Sequence, residues 1–302
     1  MEKIEKIVLL GHSGQIGSNL KKRLKIISKQ VKCLSKKELN LEKLNSIKKI
    51  LDKIKPNLII NAAAFTKVDE AEKDRKKCFK INVSGTKEIA DWAFKNKCFL
   101  VHYSTVYIFD GKKKVPWREK DKPNPINYYG KCKLESEKKI ISSKCNYLIL
   151  RLNWIYNEKG ENFPIKIIKI IKRRKKIFLV NNQTGTPNDA GFISVMTIKI
   201  LKKILKKKIN PKLLNLSARG RVNYFDFTKK IIENSKGKLK KVELIPTNSN
   251  KYRKYSKRLV ADRPLNSLLN ITKLEKFLDL KMPNWESIFV KKISLLIKHR
   301  KS

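Results

Sequence analysis

The chain opens with an apolar run, Lys6-Ile7-Val8-Leu9-Leu10, that passes directly into Gly11-His12-Ser13-Gly14-Gln15-Ile16-Gly17. A β-rich run, a G-x-x-G-x-x-G turn and an amphipathic stretch, in that order, leave few foldings open. Glycines let the backbone turn tightly and approach a pyrophosphate, and the N–H groups that begin the next helix face the anion. Only 11 of the 302 residues are Gly, so three at this spacing do not follow from composition. The turn predicts dinucleotide binding, with Gly11, Ser13, Gly14, Gln15, Ile16 and Gly17 around the pyrophosphate.

Short β-rich runs then alternate with longer stretches of helical periodicity. Strands are predicted at residues 6–10, 31–34, 57–61, 98–104 and 147–152. Helices are predicted from the glycine turn to about residue 29, and over 41–54, 83–96 and 128–142. The rhythm predicts an α/β fold, a doubly wound parallel sheet covered on both faces. The second half is less regular, with helices expected over 162–174, 191–207 and 285–299 and strands over 213–216 and 242–246. It predicts a smaller C-terminal α/β domain. The expected division is a nucleotide-binding domain over 1–152 and a substrate domain over 153–302, with some exchange of chain between them.

Lys and Arg number 73 against 26 Asp and Glu, a net charge of +47. The lysines are scattered over every segment, whereas a nucleic-acid binder more often gathers its cations on one face or in a tail. Compositional bias and selected charge both remain open, and no nucleic-acid partner is expected. Either way the field favours anionic ligands. The densest basic run, residues 172–176, reads as a solvated helix end or as a steering patch for substrate phosphates. Five cysteines (Cys33, Cys78, Cys98, Cys132 and Cys145) with no C-x-x-C pair, and no secretory leader at Met1, predict a reduced, cytoplasmic protein. No apolar run approaches a bilayer span, so no membrane partner is expected.

Tyr129-Gly130-Lys131-Cys132-Lys133 is a Y-x-x-x-K pattern. On a helix, i and i+4 share a face, so both side chains can enter one cleft. Tyrosine at its ordinary pKa of ~10 is a poor acid, and a neighbouring ammonium would lower it. Lysine is abundant here, so the pattern alone is weak. Its weight comes from following a strand that ends in Thr105, where open α/β sheets place ligands. The second strand ends in Leu34-Ser35-Lys36-Lys37 rather than in an acidic residue. A hydroxyl and two cations suit a 2′-phosphate, which favours NADPH and leaves NADH possible, since Glu38 could reach back. Ser35, Lys36 and Asn40 are the candidate contacts.

Taken together, these stretches resemble the extended short-chain dehydrogenases and, among them, the dTDP-4-dehydrorhamnose reductase family. The glycine turn carries the resemblance, with residues 61–72 (NAAAFTKVDEAE), 104–111 (STVYIFDG), 123–130 (PNPINYYG), 151–154 (RLNW), 182–187 (NQTGTP), Arg263-Pro264 and residues 283–285 (PNW). It spans nearly the whole chain. The resemblance implies a Rossmann-type sheet, a nucleotide-sugar substrate, and a monomer or homodimer. It implies that Tyr129 donates a proton to a C4 keto oxygen, that Lys133 holds the nicotinamide ribose and lowers the tyrosine pKa, and that Thr105 bonds the same oxygen. Ala62, Ala63 and Ala64 would lie along the cofactor. Thr66, Val68, Thr105, Val106, Tyr107 and Trp154 would contact the sugar, although Val68 and Trp154 also read as core packing.

Three positions depart from the family pattern. Val106 stands where relatives carry Asp, and Asn153 stands where they carry a pocket-edge Ser. Ser18-Asn19 replaces an acidic residue that helps some relatives bind a metal between subunits, so no metal is expected. The first two keep alternatives open: a reductase of another nucleotide 4-keto sugar, or a non-catalytic nucleotide-binding relative.

Overall fold

In the computed structural model of the chain, which describes residues 4–256 and 259–298, Lys6–Leu10 (β1) is buried on both sides from Ile7 onward. Near-continuous burial of an aliphatic strand is the mark of a parallel sheet covered by helices. The other strands of this sheet are Gln30–Leu34 (β2), Leu58–Asn61 (β3), Phe99–Thr105 (β4), Asn146–Leu152 (β5) and the short Leu213–Asn215. Their order is β2, β1, β3, β4, β5 and Leu213–Asn215, all parallel. Val8 pairs with Lys32 on one side and Ile59 on the other. The chain therefore reverses its direction of winding between β1 and β3, and a crevice opens at their C-terminal ends, where such sheets bind ligands.

Alternate residues go to opposite faces. Ile7, Leu9, Ile60, Val101 and Leu150 pack with Leu20, Leu24, Ile193 and Leu201, from the side of Gln15–Lys21 (α1) and Ala190–Lys207. Val8, Leu10, Ile59, Leu100 and Ile149 meet the other layer, formed by Leu44–Ile54 (α2), Gly85–Lys95 and Tyr128–Ser142. In α2 the buried residues are Ile47, Leu51 and Ile54, the expected stripe. A third core, with Tyr156, Ile168, Phe227 and Phe289, lies wholly after residue 153. Helix Ala190–Lys207 and strand Leu213–Asn215, from the second half, pack on and extend the first sheet.

The differences from the sequence-based reading are local. The helix after the glycine turn stops at Lys21, and a 3-10 turn at Leu24–Ile26 buries Leu24 before β2. Two short helices, Val68–Lys73 (α3) and Arg75–Phe79 (α4), and a π-turn at Lys80–Ser84 precede Gly85–Lys95 (α5), which was expected to start at 83. Basic residues close the helix Phe163–Arg173, and the strand Lys176–Val180 begins at once, pairing with Glu243–Thr247. That strand and the helix Tyr224–Glu233 were not foreseen. The closing helix runs over Trp285–Lys298, and His299 lies outside the described residues. All five cysteines are free thiols, and no helix among the described residues is long and apolar enough to cross a membrane.

Candidate active site

Gly11 follows β1 at φ 72°, and a Cβ there would fall 2.6 Å from the backbone nitrogen of Ala63. Glycine is thus required where the ends of β1 and β3 cross. Gly17, inside α1, lies against the Gly11 carbonyl so closely that a Cβ would collide with it. Gly14 donates its N–H to the Gly11 carbonyl at 3.0 Å and caps α1. No side chain caps this helix start, and no acidic residue occupies its first turn. Ser13 and Gly14 are exposed at the tip, Gln15 is half-buried, and Ile16 packs back onto the core. The backbone cradle and the uncapped N–H groups suit a dinucleotide pyrophosphate.

At the end of β2 the Ser35 N–H donates to Glu38 Oε2 at 2.7 Å, and that bond holds the Glu38 carboxyl below its usual range. Lys36 pairs with Glu42 at 2.6 Å, and the Asn40 side chain accepts from the Glu42 N–H. The acid that could reach back does so, onto the backbone, while Lys36 and Lys37 remain exposed.

The β3 end is held by two asparagines. Asn61 accepts the Ala63 N–H at 3.2 Å. Asn82, on the π-turn, is buried, accepts the Phe65 N–H at 2.8 Å and donates to the Phe65 carbonyl at 3.0 Å. This clamp fixes the path of Ala62, Ala63 and Ala64, all half-buried along the crevice, and of exposed Thr66. Val68 begins α3 and is half-buried. Asn82 was not anticipated; a polar residue within an apolar helical run is the signal that could have found it.

Thr105 ends β4, and its Oγ1 accepts the Tyr107 N–H at 3.2 Å. Asn127 caps the helix Tyr128–Ser142 (α6) by accepting the Gly130 N–H at 2.8 Å. Gly130 lies against the Tyr107 carbonyl with no room for a Cβ, so the first turn of α6 presses onto the turn after β4. That contact brings Tyr129 to Thr105, whose hydroxyl hydrogen-bonds the phenol, and sets the Tyr129 and Tyr107 rings edge to face at 6.1 Å. Burial pushes the Tyr129 phenol above its usual pKa, Tyr107 and Cys78 add to this, and the Thr105 bond opposes it. Lys133, one helical turn on, is fully buried, and its Nζ donates to the Tyr103 carbonyl at 2.7 Å. Burial lowers its pKa to about 8, against the pull of Glu137. The expected lowering of the tyrosine pKa by Lys133 has no counterpart in this geometry: the ammonium points into the sheet and the phenol is pushed up.

The far wall comes from the second half. Trp154, at φ 25°, stacks on Tyr224 at 4.1 Å, and its ring fills the space beside Gly185. The Tyr224 and Tyr107 hydroxyls share a hydrogen bond, and the Arg263 guanidinium bonds Tyr107 as well. Arg263 is held by Asp69 through 2.8 and 3.0 Å contacts. Tyr224, Arg263 and Asp69 were absent from the expected site.

Two expectations are corrected. Val106 is wholly buried among Ile108, Phe109, Trp117 and Leu269, so it offers no surface to the cleft. Asn153 is buried too, donating to the Ser267 carbonyl and accepting from Asn188 at 2.6 Å; it knits the interior and edges no pocket. Among the described residues no cluster of His, Cys, Asp or Glu is arranged to hold a metal ion.

The chain is similar to known proteins along nearly its whole length. The model of the family described as RmlD substrate binding domain matches residues 5–296. The dTDP-4-dehydrorhamnose reductase of Salmonella typhimurium is 31% identical over 288 residues, covering 93% of this chain and 94% of the relative. That of Aggregatibacter actinomycetemcomitans is also 31% identical, over 284 residues. The crystal structure of dTDP-4-dehydrorhamnose reductase from Bacillus anthracis in complex with NADP superposes with a TM-score of 0.86 at 28% identity, covering 98% of this chain and 99% of that one. A Clostridium acetobutylicum orthologue gives a TM-score of 0.87 at 29% identity, covering 96% and 99%.

Proposed function

The chain belongs to the dTDP-4-dehydrorhamnose reductase family of NAD(P)-dependent oxidoreductases, and from that premise we propose that it reduces the C4 keto group of dTDP-4-dehydro-L-rhamnose with NADPH, giving dTDP-L-rhamnose. The observation that supports this reading is the pairing of Thr105 with Tyr129 at the mouth of a parallel sheet, one helical turn before the buried Lys133 and beside a turn whose glycines leave room for a pyrophosphate.

Gly11, Gly14 and Gly17 with the first turn of α1 would hold the pyrophosphate, and Ala62–Ala64 would flank the cofactor. Ser35 and the exposed Lys36 and Lys37 suit a 2′-phosphate. When bound, the reduced nicotinamide supplies the hydride to C4. Tyr129 gives its proton to the C4 oxygen; a phenol whose pKa is raised is fully protonated at neutral pH, as a donor must be. Thr105 Oγ1 accepts from the Tyr107 N–H and its hydroxyl bonds the Tyr129 phenol, so with a sugar in place its proton would turn from the phenol to the same keto oxygen. Lys133 brings a buried positive charge beneath the site. Tyr107, Tyr224, Trp154 and Arg263 form the wall against which the sugar would lie.

Val106 and Asn153, the two departures that pointed to a different sugar, are both interior. Neither therefore argues for another substrate. Oxidation of NADPH is followed with dTDP-4-dehydro-L-rhamnose and with a panel of other nucleotide 4-keto sugars. Turnover is expected with the first; none there, with clear turnover on another, would overturn the substrate assignment.

A further inference from the structure

One buried titratable residue has no part in the chemistry above. His102, on β4, is almost wholly enclosed and faces α6. Its Nε2 lies 2.8 Å from Lys133 Nζ and 3.3 Å from Ser136 Oγ, and its Nδ1 lies 3.4 Å from Asn61 Nδ2. Ser136 donates its own proton to the Lys133 carbonyl at 2.7 Å. An ammonium can only donate, so the contact with Lys133 requires Nε2 to be the acceptor. The ring proton then sits on Nδ1, facing the Asn61 Nδ2 amide at 3.4 Å, a second donor with which it makes no hydrogen bond; the shorter 2.8 Å contact with Lys133 decides the tautomer. Two enclosed cations 2.8 Å apart would repel strongly, and burial together with the Lys133 charge holds the His102 pKa well below 6.5. The imidazole is therefore neutral.

We propose that His102 is a positioning residue for the reduction: its neutral imidazole accepts a hydrogen bond from the Lys133 ammonium, and thereby both aims that side chain and keeps it charged. A fully buried ammonium needs acceptors to offset its desolvation. Lys133 has two in this set, the Tyr103 carbonyl and His102 Nε2. The groups facing it from the elements around it are Glu137 and Cys132 on α6, Cys78 on α4 and His102 on β4. Of these only Glu137 bears a full negative charge to help, and it is already engaged by Arg151 on β5 through 3.0 and 2.7 Å contacts. Removing His102 therefore leaves the ammonium under-solvated and lowers its pKa. The proposal rests on the assignment of Lys133 to the reaction.

The test compares three variants. His102→Gln can place an amide oxygen where Nε2 lies. His102→Asn keeps a polar group near Asn61 only, and His102→Leu keeps neither. Lys133 is titrated without substrate by NMR of its Nζ–Cε pair, and pH–rate profiles are recorded with NADPH and keto sugar. Asn and Leu are expected to lower the Lys133 pKa and the basic limb by about one unit, which near pH 8 is a loss of about fivefold in kcat that fades at pH 6. KM stays close to that of the wild type, and Gln restores the limb. A purely structural role would lower stability or yield and leave Lys133 titrating as in the wild type. That result in whichever of Asn and Leu folds, or failure of Gln to restore the limb, overturns the proposal. Absence of wild-type turnover would instead strike the function, since the Lys133 titration is read without substrate.

Discussion

Tyr129 and Lys133 stand one helical turn apart in very different surroundings. The phenol is half-buried at the cleft beside the Thr105 hydroxyl, and the ammonium is sealed beneath it. Tyr129→Phe removes only the proton donor, so kcat should fall by ~10²–10⁴ while NADPH affinity, measured by fluorescence titration, stays near the wild-type value. The Lys133 pKa of about 8 sets a further expectation: turnover declines as pH rises through that value and the ammonium is lost. Stability moves the other way. Between about 8 and the ordinary 10.5 the unfolded chain binds the extra proton, so this residue's contribution to stability rises with pH. Denaturation of wild type beside Lys133→Met across that window reads the difference. Motif spacing was enough to put Tyr129 and Lys133 on one helix and Thr105 at a strand end. It could not find His102, Asn82 or Tyr224, because each matters through partners far away in the chain.

Helix α6 carries both of those residues, and its placement depends on a few contacts. Asn127 caps it and also donates to the Asp262 carbonyl at 2.7 Å, tying the helix start to the C-terminal segment. Farther along, Glu137 binds Arg151 in the interior. Asn127→Ala should cost ~0.5–2 kcal/mol in urea denaturation and lower kcat through misplacement of Tyr129; an unchanged kcat would show that Gly130 packing alone sets the helix. A helix with a clear apolar stripe, such as α2, was found from periodicity. The strand Lys176–Val180 was hidden because a basic run leads straight into it. The π-turn at Lys80–Ser84 was hidden because it keeps helical periodicity in sequence while shifting the register in space.

The molecule carries +47 on surfaces supplied by every segment. A nucleotide sugar and NADPH are both anions, so the field should speed their encounter, and salt should screen it. Raising ionic strength from about 0.05 to about 0.5 M is expected to lower kcat/KM several-fold and leave kcat nearly unchanged, a split that steady-state kinetics across a salt series would reveal. The halves also interpenetrate. Strand Leu213–Asn215 joins the first sheet, helix Ala190–Lys207 covers its face, and Arg263 returns from the second half to Asp69. A boundary drawn after residue 152 therefore describes the chain order better than the packing.

Local covalent pattern was sufficient for the parallel sheet, the glycine turn and the placement of Tyr129 and Lys133 on one helix after a strand ending in Thr105, because each rests on spacing within one or two neighbouring elements: period two or 3.6 for burial, i to i+4 on a helix face, glycine where backbones cross. The lining of the cleft needed the folded molecule. Whether Val106 and Asn153 reach a ligand or the interior depends on which way a turn rolls against Trp117, Leu269 and Ser267, residues distant in the chain that only the fold brings beside them. The same holds for the charge state of Lys133, since a lysine's pKa is set by the desolvation and the groups around it, and those come from β4 and α4 as well as from its own helix.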